Sequence, residues 1–257
     1  MTPHGSVTLI PVPFPCEVVS GDDLGEILLL ALRKQKLSLQ RGDIVVVKHK
    51  VVSKAEGQMV ELSEVKPSAA ARNWSRQSGT DARIVELALR ESRAVVRKKS
   101  IGGHGVLITE TRSGLVCANS GVDVSNVNGG THALLLPKDA DASAARLRAA
   151  IRRKTGVAVA VIISDSFGRP WREGLTESAI GIAGMKPLLD FRGKRDPHGY
   201  VLHASAEAVA DELACAAGLV CGKLNGVPVC VVRGFRHEPG RGSARELIRA
   251  RQNDLFR

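Results

Sequence analysis

The sequence predicts an α+β fold of mixed sheets with helices. Three apolar runs rich in β-branched residues, at 44–47, 157–163 and 227–232, have the length and composition of buried strands. Segments of good helix formers at 24–32, 140–153 and 206–220 lie among them. The two kinds of element are mixed rather than strictly alternating, which favours α+β over a doubly wound parallel sheet.

Taken in order, a first strand is expected at 7–12, ending in the proline-rich turn Pro11-Val12-Pro13-Phe14-Pro15. Gly21-Asp22-Asp23 precedes the apolar stretch from Leu24, an acidic cap before helix formers. Gly42-Asp43 opens the strand at 44–47. Residues 67–90 read as helical in two pieces, broken near Gly79, with Asp81 capping the second. From 94 to 126 the pattern turns to strands, and runs at 106–109 and 115–118 flank Arg112-Ser113-Gly114 as a hairpin. The glycines of Ile101-Gly102-Gly103-His104-Gly105 lack dinucleotide-loop spacing and read as a tight turn. A basic helix at 140–153 leads to the strand at 157–163, which ends at Ser164-Asp165. The helix at 206–220 stops at Gly222, the last strand is 227–232, and Ser243-Ala244-Arg245-Glu246 is a capping box opening a terminal helix. The chain, residues 1–257, is read as one unit; two α+β subdomains would fit within it, but no linker, repeat or boundary is visible.

Composition narrows the function classes. With 44% hydrophobic and 25% charged residues the 257-residue chain has the balance of a globular protein. No apolar run approaches the ~20 residues of a membrane span, and the first residues show no secretory pattern, so a cytoplasmic location is expected. The net charge of +11 suits an anionic partner: nucleic acid, a phosphorylated small molecule or a polycarboxylate. Five Phe, two Trp and one Tyr are a poor supply of base-stacking platforms, which disfavours nucleic acid. Cys16, Cys117, Cys215, Cys221 and Cys230 contain no CxxC pair, and His198 and His203 lack metal-site spacing. Gly218-Leu219-Val220-Cys221-Gly222-Lys223 is too short between its glycines for a phosphate-binding P-loop and lacks the following Ser or Thr.

Four segments are denser in polar and acidic residues than turns require. Lys50-Val51-Val52-Ser53-Lys54-Ala55-Glu56-Gly57 follows a buried strand; taken alone it reads first as a solvated loop, but its two lysines and serine could hold phosphate oxygens. Asn119-Ser120-Gly121-Val122-Asp123-Val124-Ser125-Asn126 offers hard oxygen ligands in Asp123 and Asn126. Ser164-Asp165-Ser166-Phe167-Gly168-Arg169-Pro170-Trp171-Arg172 places an acid and a hydroxyl at a strand end with two arginines beyond. Mg²⁺ or Mn²⁺ bridging nucleotide phosphates takes about one or two carboxylates plus hydroxyl, water and phosphate oxygens, which these two segments could supply together. Each reads equally as an ordinary Asx or Ser turn. The fourth, Asp190 to Gly199 followed by Asp211 and Glu212, offers those two helix carboxylates as catalytic candidates but reads first as caps or surface pairs.

In this order and spacing, Gly21-Asp22-Asp23, Val52-Ser53-Lys54-Ala55-Glu56-Gly57, Ala118-Asn119-Ser120-Gly121-Val122-Asp123, Ser125-Asn126, Leu136-Pro137 and Ile163-Ser164-Asp165-Ser166-Phe167-Gly168-Arg169-Pro170-Trp171-Arg172 resemble the coenzyme F420:L-glutamate ligases. Ile180-Gly181-Ile182-Ala183-Gly184, Ala210-Asp211-Glu212 and residues 228–234 extend the likeness over nearly the whole chain. The resemblance implies a stand-alone γ-glutamyl ligase fold without a P-loop, an intertwined homodimer and a cytoplasmic, GTP-dependent amide ligase. Such an enzyme adds L-glutamate, γ-linked and in successive units, to a deazaflavin precursor through an acyl phosphate, releasing GDP and phosphate. It also implies Mn²⁺ or Mg²⁺ at two sites and K⁺ as an activating ion.

Carried over residue by residue, the resemblance makes Asp123, Asp165 and Lys54 the catalytic group, with Asp123 and Asp165 holding one metal and Ser166 a second. Lys54 and Asn126 contact GTP, as does the chain at Pro15, Cys16, Glu17 and Val18 and around His49, while the stretch from Lys223 to Val227 closes over the nucleotide. Arg169 and Arg172 suit the polyanionic tail. Three departures stand out. Many relatives carry Ser where this chain has His49. Archaeal relatives have an acid or amide where it has Lys223, and a protonated lysine ligates no metal. The spacing from Pro15 to Gly21 is one residue longer than usual. Two rival readings are a same-fold ligase acting on another carboxylate and a basic nucleic-acid-binding protein, whose binding would be steeply salt-dependent and survive loss of Asp165.

Overall fold

The computed structural model describes residues 5–101, 104–125 and 128–255. Its architecture is α+β. A five-stranded sheet is built from β1 (Thr8–Val12), β2 (Ile44–Lys48), β8 (Ala160–Arg169), β9 (Arg172–Ala183) and β12 (Val229–Arg233); β3 (Met59–Glu61) pairs with β7 (His132–Leu134), β10 (Leu189–Asp190) with β11 (Ala206–Glu207), and three further strands form another small sheet. The strand order is β1-β12-β2-β8-β9; β2 and β8 run parallel and every other neighbouring pair is antiparallel.

The apolar runs of β2 and β8 are continuous because both faces of this sheet are covered. Val45, Val47, Val161 and Ile163 point to one side, where α1 (Leu24–Lys34), α2 (His49–Ala55) and α5 (Ala140–Thr155) pack through Leu28, Leu32, Val52, Leu147 and Ile151. Ile44, Val46, Ala160 and Ile162 point to the other, against α6 (Val209–Cys221) through Val209, Leu213 and Ala217. This is the two-residue period of a pleated strand written twice. A third core lies between α3 (Ala69–Ser78), α4 (Ala82–Glu91) and the sheet of β4 (Ser92–Ile101), β5 (His104–Thr111) and β6 (Val116–Ala118), around Trp74, Val85, Leu87 and Leu107.

Local signals explain several boundaries. Asp23 caps α1 by accepting from the backbone of Gly25 and Glu26, Asp81 caps α4, and Gly79 ends α3 at a left-handed φ of 68°. Four expectations are corrected. Residues 50–55 are the body of α2, not a loop: the apolar residues Val51 and Val52 pack on the main core and fix a helix too short to form alone. The strand expected at 157–163 starts at Ala160 and runs through Ser164 and Asp165 to Arg169, because β9 supplies partners that far. Ala206–Glu207 pairs with Leu189–Asp190 as a small ribbon, so α6 begins only at Val209. The capping box at Ser243 is present, but it opens the short 3-10 turn Ala244–Leu247 rather than a full helix. The expected turn at Gly102-Gly103 lies outside the described residues.

Candidate active site

A cleft of about 560 Å³ opens where the parallel strands β2 and β8 emerge from under α2, the position at which open α/β sheets bind ligands. Its wall carries Cys16, Glu17, Val18, Lys48, His49, Lys50, Lys54, Asp123, Ser125, Ser164, Asp165, Ser166 and Lys223, among others. It therefore gathers residues from five distant stretches of the chain. Of the residues singled out from the sequence, Pro15 is not among those lining it, Arg169 and Arg172 sit on the β8–β9 turn beyond it, and Asn126 lies outside the described residues.

Asp123 is aimed by a constrained backbone. Asn119, Ser120 and Gly121 all take left-handed φ values of 51°, 54° and 71°, a conformation that costs non-glycine residues energy and persists only where the surroundings hold it. Here the buried Ser120 does so: its amide donates to Thr109 Oγ1 at 2.8 Å, its hydroxyl meets the same oxygen at 2.7 Å, and it donates to the Ala88 carbonyl at 2.8 Å. A Cβ at Gly121 would come within 2.7 Å of Leu136, so only glycine fits. Asp123 then exchanges both backbone hydrogen bonds with Leu134. Its carboxylate accepts from Lys50 Nζ at 2.7 Å, from the Ser125 amide at 2.7 Å and from the Ser125 hydroxyl at 3.1 Å. Burial pushes the carboxyl upward, but the Lys50 and Ser125 donors outweigh it and hold Asp123 below the usual range, ionised at neutral pH.

Asp165 stands on β8 beside the end of β2. Its Oδ1 accepts from its neighbour's amide, Ser166 N, at 2.7 Å and faces His49 Nε2 at 3.3 Å. The His49 ring is buried and its Nδ1 lies 3.3 Å from the Ser53 hydroxyl, so the histidine braces Asp165 from within the wall. Lys54 extends from α2 to Glu17, 2.7 Å away, and this ion pair holds Glu17 below its ordinary value. Lys223 is exposed on the segment between α6 and β12, with no acid partner among the described residues. Cys117, pushed up to about 12 by burial and by the nearby charge of Asp165, stays protonated and is no nucleophile.

Lys48, which lines the cleft, and Glu177, which stands behind its wall, were not legible in the sequence. Lys48 reads as the polar end of a buried strand, and Glu177 lies in β9, which announces itself by no clear alternation. Their signal is tertiary: Lys48 Nζ lies 2.5 Å from Glu177 Oε1, and Glu177 also accepts from Ser164 Oγ at 2.8 Å and Ser166 Oγ at 2.5 Å. Asp211, which the sequence left as a cap or surface pair, does neither job; it accepts from the Ala179 amide at 2.7 Å, tying α6 to β9, and burial raises its carboxyl above the usual value.

The profile of the F420-0:gamma-glutamyl ligase family matches residues 15–234, a span that contains every residue lining the cleft except Phe14. The chain belongs to this family. It is 42% identical over 254 residues to the coenzyme F420:L-glutamate ligase of Methanothermobacter thermautotrophicus, covering 98% of this chain and 99% of the relative. It is 42% identical to the enzyme of that name from Methanopyrus kandleri over 96% of each chain, and 39% identical to that of Methanocaldococcus jannaschii over 91% of this chain and 92% of the relative.

The donor chemistry of the cleft in this F420-0:gamma-glutamyl ligase family member bears on what ion it suits. Among the described residues no three His, Cys, Asp or Glu side chains gather as a closed metal cage. Asp123 and Asp165 offer two carboxylates and Ser166 a hydroxyl on one cleft wall. That set is too sparse for structural zinc and fits a hard divalent cation that keeps waters and takes phosphate oxygens from its substrate.

Proposed function

We propose that this chain is a GTP-dependent amide ligase that joins L-glutamate, γ-linked and in successive units, to the carboxylate tail of the F420 precursor. The observation that carries the reading is the cleft: Lys48, Lys50, Lys54 and Lys223 converge with Asp123 and Asp165 around a volume suited to a nucleotide. A triphosphate needs fixed cations to neutralise charge that builds up during phosphoryl transfer, and that neutralisation is most of the catalysis in such reactions. The substrate class comes from the relatives, which are named for it.

In this reading a carboxylate oxygen of the precursor attacks the γ-phosphorus of GTP, the bond to the β-phosphate oxygen breaks, and GDP leaves. The amine of L-glutamate, having given up a proton, attacks the acyl carbon; the carbon–oxygen bond to phosphate breaks and inorganic phosphate leaves. Lys54 and Lys50 bind phosphate oxygens, exchanging part of their contact with Glu17 and Asp123 for the nucleotide. Asp123 and Asp165 would hold one Mn²⁺ or Mg²⁺ and Ser166 would contribute to a second; when bound, these ions supply charge neutralisation along the phosphates. Lys223 belongs on the phosphate side, since an ammonium cannot ligate a cation. Arg169 and Arg172 would meet the polyanionic tail. K⁺ activation, a cytoplasmic location and a homodimer complete the proposal.

Isotope transfer tests the route. With precursor carrying ¹⁸O in its terminal carboxylate, one labelled oxygen is expected in the released phosphate. Unlabelled phosphate formed alongside amide would overturn the acyl-phosphate route.

A further inference from the structure

Glu177 is a buried carboxylate whose partners all belong to the floor of the cleft. Its Oε1 accepts from Lys48 Nζ and Ser166 Oγ, each at 2.5 Å, and its Oε2 accepts from Ser164 Oγ at 2.8 Å. Lys48, Ser164 and Ser166 all line the cleft, while Glu177 stands behind them on β9, directly opposite Ser166 in the strand register. The fold makes room for it. Gly218 of α6 faces it, and a Cβ there would come within 2.7 Å of Glu177 Cγ. The Glu177 carbonyl in turn accepts from Cys215 Sγ at 3.1 Å. A desolvated ion pair of this kind is a poor source of stability against an apolar replacement of the same shape. What it does supply is geometry.

We infer that Glu177 is a positioning residue: it holds the Lys48 ammonium where it meets the polyphosphate, and it takes the Ser166 hydroxyl proton so that the lone pairs of the Ser166 oxygen face the cleft, where that oxygen would contribute to the second cation. The inference rests on the ligase reading for its substrate, but the pairing it describes is independent of which carboxylate is extended. Without the carboxylate, Lys48 is released to sample other rotamers and the Ser166 hydroxyl turns freely.

The experiment compares Glu177→Gln, Lys48→Met, Ser166→Ala and the two double variants that contain Glu177→Gln, using the full chain with its fold checked by circular dichroism. Gln matches Glu in size but cannot accept from all three donors. Glu177→Gln is expected to lower kcat by about 10–100-fold, the usual cost of losing a supporting residue behind a ligand, with KM for L-glutamate unchanged. Its loss should fail to multiply with that of Lys48→Met or Ser166→Ala, since the three act as one unit. Gly218→Ala, normally favourable inside a helix, is expected to lower kcat in the same way by displacing Glu177. Wild-type kcat in either Glu177→Gln or Gly218→Ala, or losses that multiply in full, would overturn the inference. So would loss of the fold in Glu177→Gln, which would make the residue structural. Should the wild-type chain yield no glutamyl product, the ligase reading fails, and calorimetric titration with Mg–GTP decides this point separately: weaker binding by Glu177→Gln supports positioning, and equal binding overturns it.

Discussion

The Asp165 carboxylate carries two contacts inside the cleft wall, to the Ser166 amide and to His49, and its side chain remains partly exposed. Asp165→Ala should therefore fold as the wild type does while losing amide formation by about 10²–10³-fold, the scale of removing one electrostatic group from a phosphoryl- or acyl-transfer site. Near wild-type ligation with an unchanged circular dichroism spectrum would remove Asp165 from the machinery. Lys54 makes a different contribution. Its ion pair with Glu17, a largely exposed residue, is worth little to stability, whereas a charge-assisted bond to phosphate is worth about tenfold in affinity. Lys54→Ala is accordingly expected to weaken GTP binding by about that factor, as read by calorimetry, and to leave the unfolding midpoint nearly where it was. Unchanged nucleotide affinity would take the lysine out of the site.

Elements owe their visibility to different physics. Helices α1, α3 and α4 are announced by residues that act locally: Asp23, Ser68 and Asp81 accept from backbone amides of the first turn, and Gly79 supplies a left-handed stop. Helix α2 has no such signal. Its cap position is Lys48, which makes no side-chain cap, and its seven residues fold because Val51 and Val52 reach the main core. Likewise β8 continues past Ile163 because β9 pairs with it across a register shift, a partnership that no local pattern encodes. The catalytic candidates of β8 and of the segment after the Asn119–Gly121 turn were legible as residue types in order, while Lys48 and Glu177 became visible only once β2 and β9 were laid on either side of β8. Glu86 offers a test at this scale. It accepts from the Ser68 amide at 2.8 Å and from Arg90 Nε at 2.8 Å, joining the start of α3 to α4. Hydrogen bonding to Ser68, followed by Arg90, lowers its carboxyl despite burial. A depressed carboxyl contributes stability above its unfolded value, ~4.3, and loses it as pH falls through the folded value. The difference in urea midpoint between wild type and Glu86→Gln should thus be full at neutral pH and shrink on acidification below about pH 4. A difference that stayed constant with pH would show that the charge of Glu86 contributes nothing.

At the scale of the molecule, two cores fix one sheet whose parallel strands end at a cation-rich cleft, and a third core holds α3 and α4 on the sheet of β4, β5 and β6. The net charge of +11, ambiguous in the sequence between nucleic acid and small anions, finds in that cleft four lysines, three of them held against acids, rather than a flat basic face. Among the described residues no helix is long and apolar enough to cross a membrane. The measurement that bears most directly on the whole account is ligation by the purified chain with GTP, Mn²⁺, L-glutamate and the glutamate-free deazaflavin precursor, followed by mass spectrometry. The account predicts products heavier by successive glutamyl units, together with GDP and phosphate, and their loss in Asp165→Ala. A chain that binds GTP under these conditions but leaves the precursor unextended would contradict it.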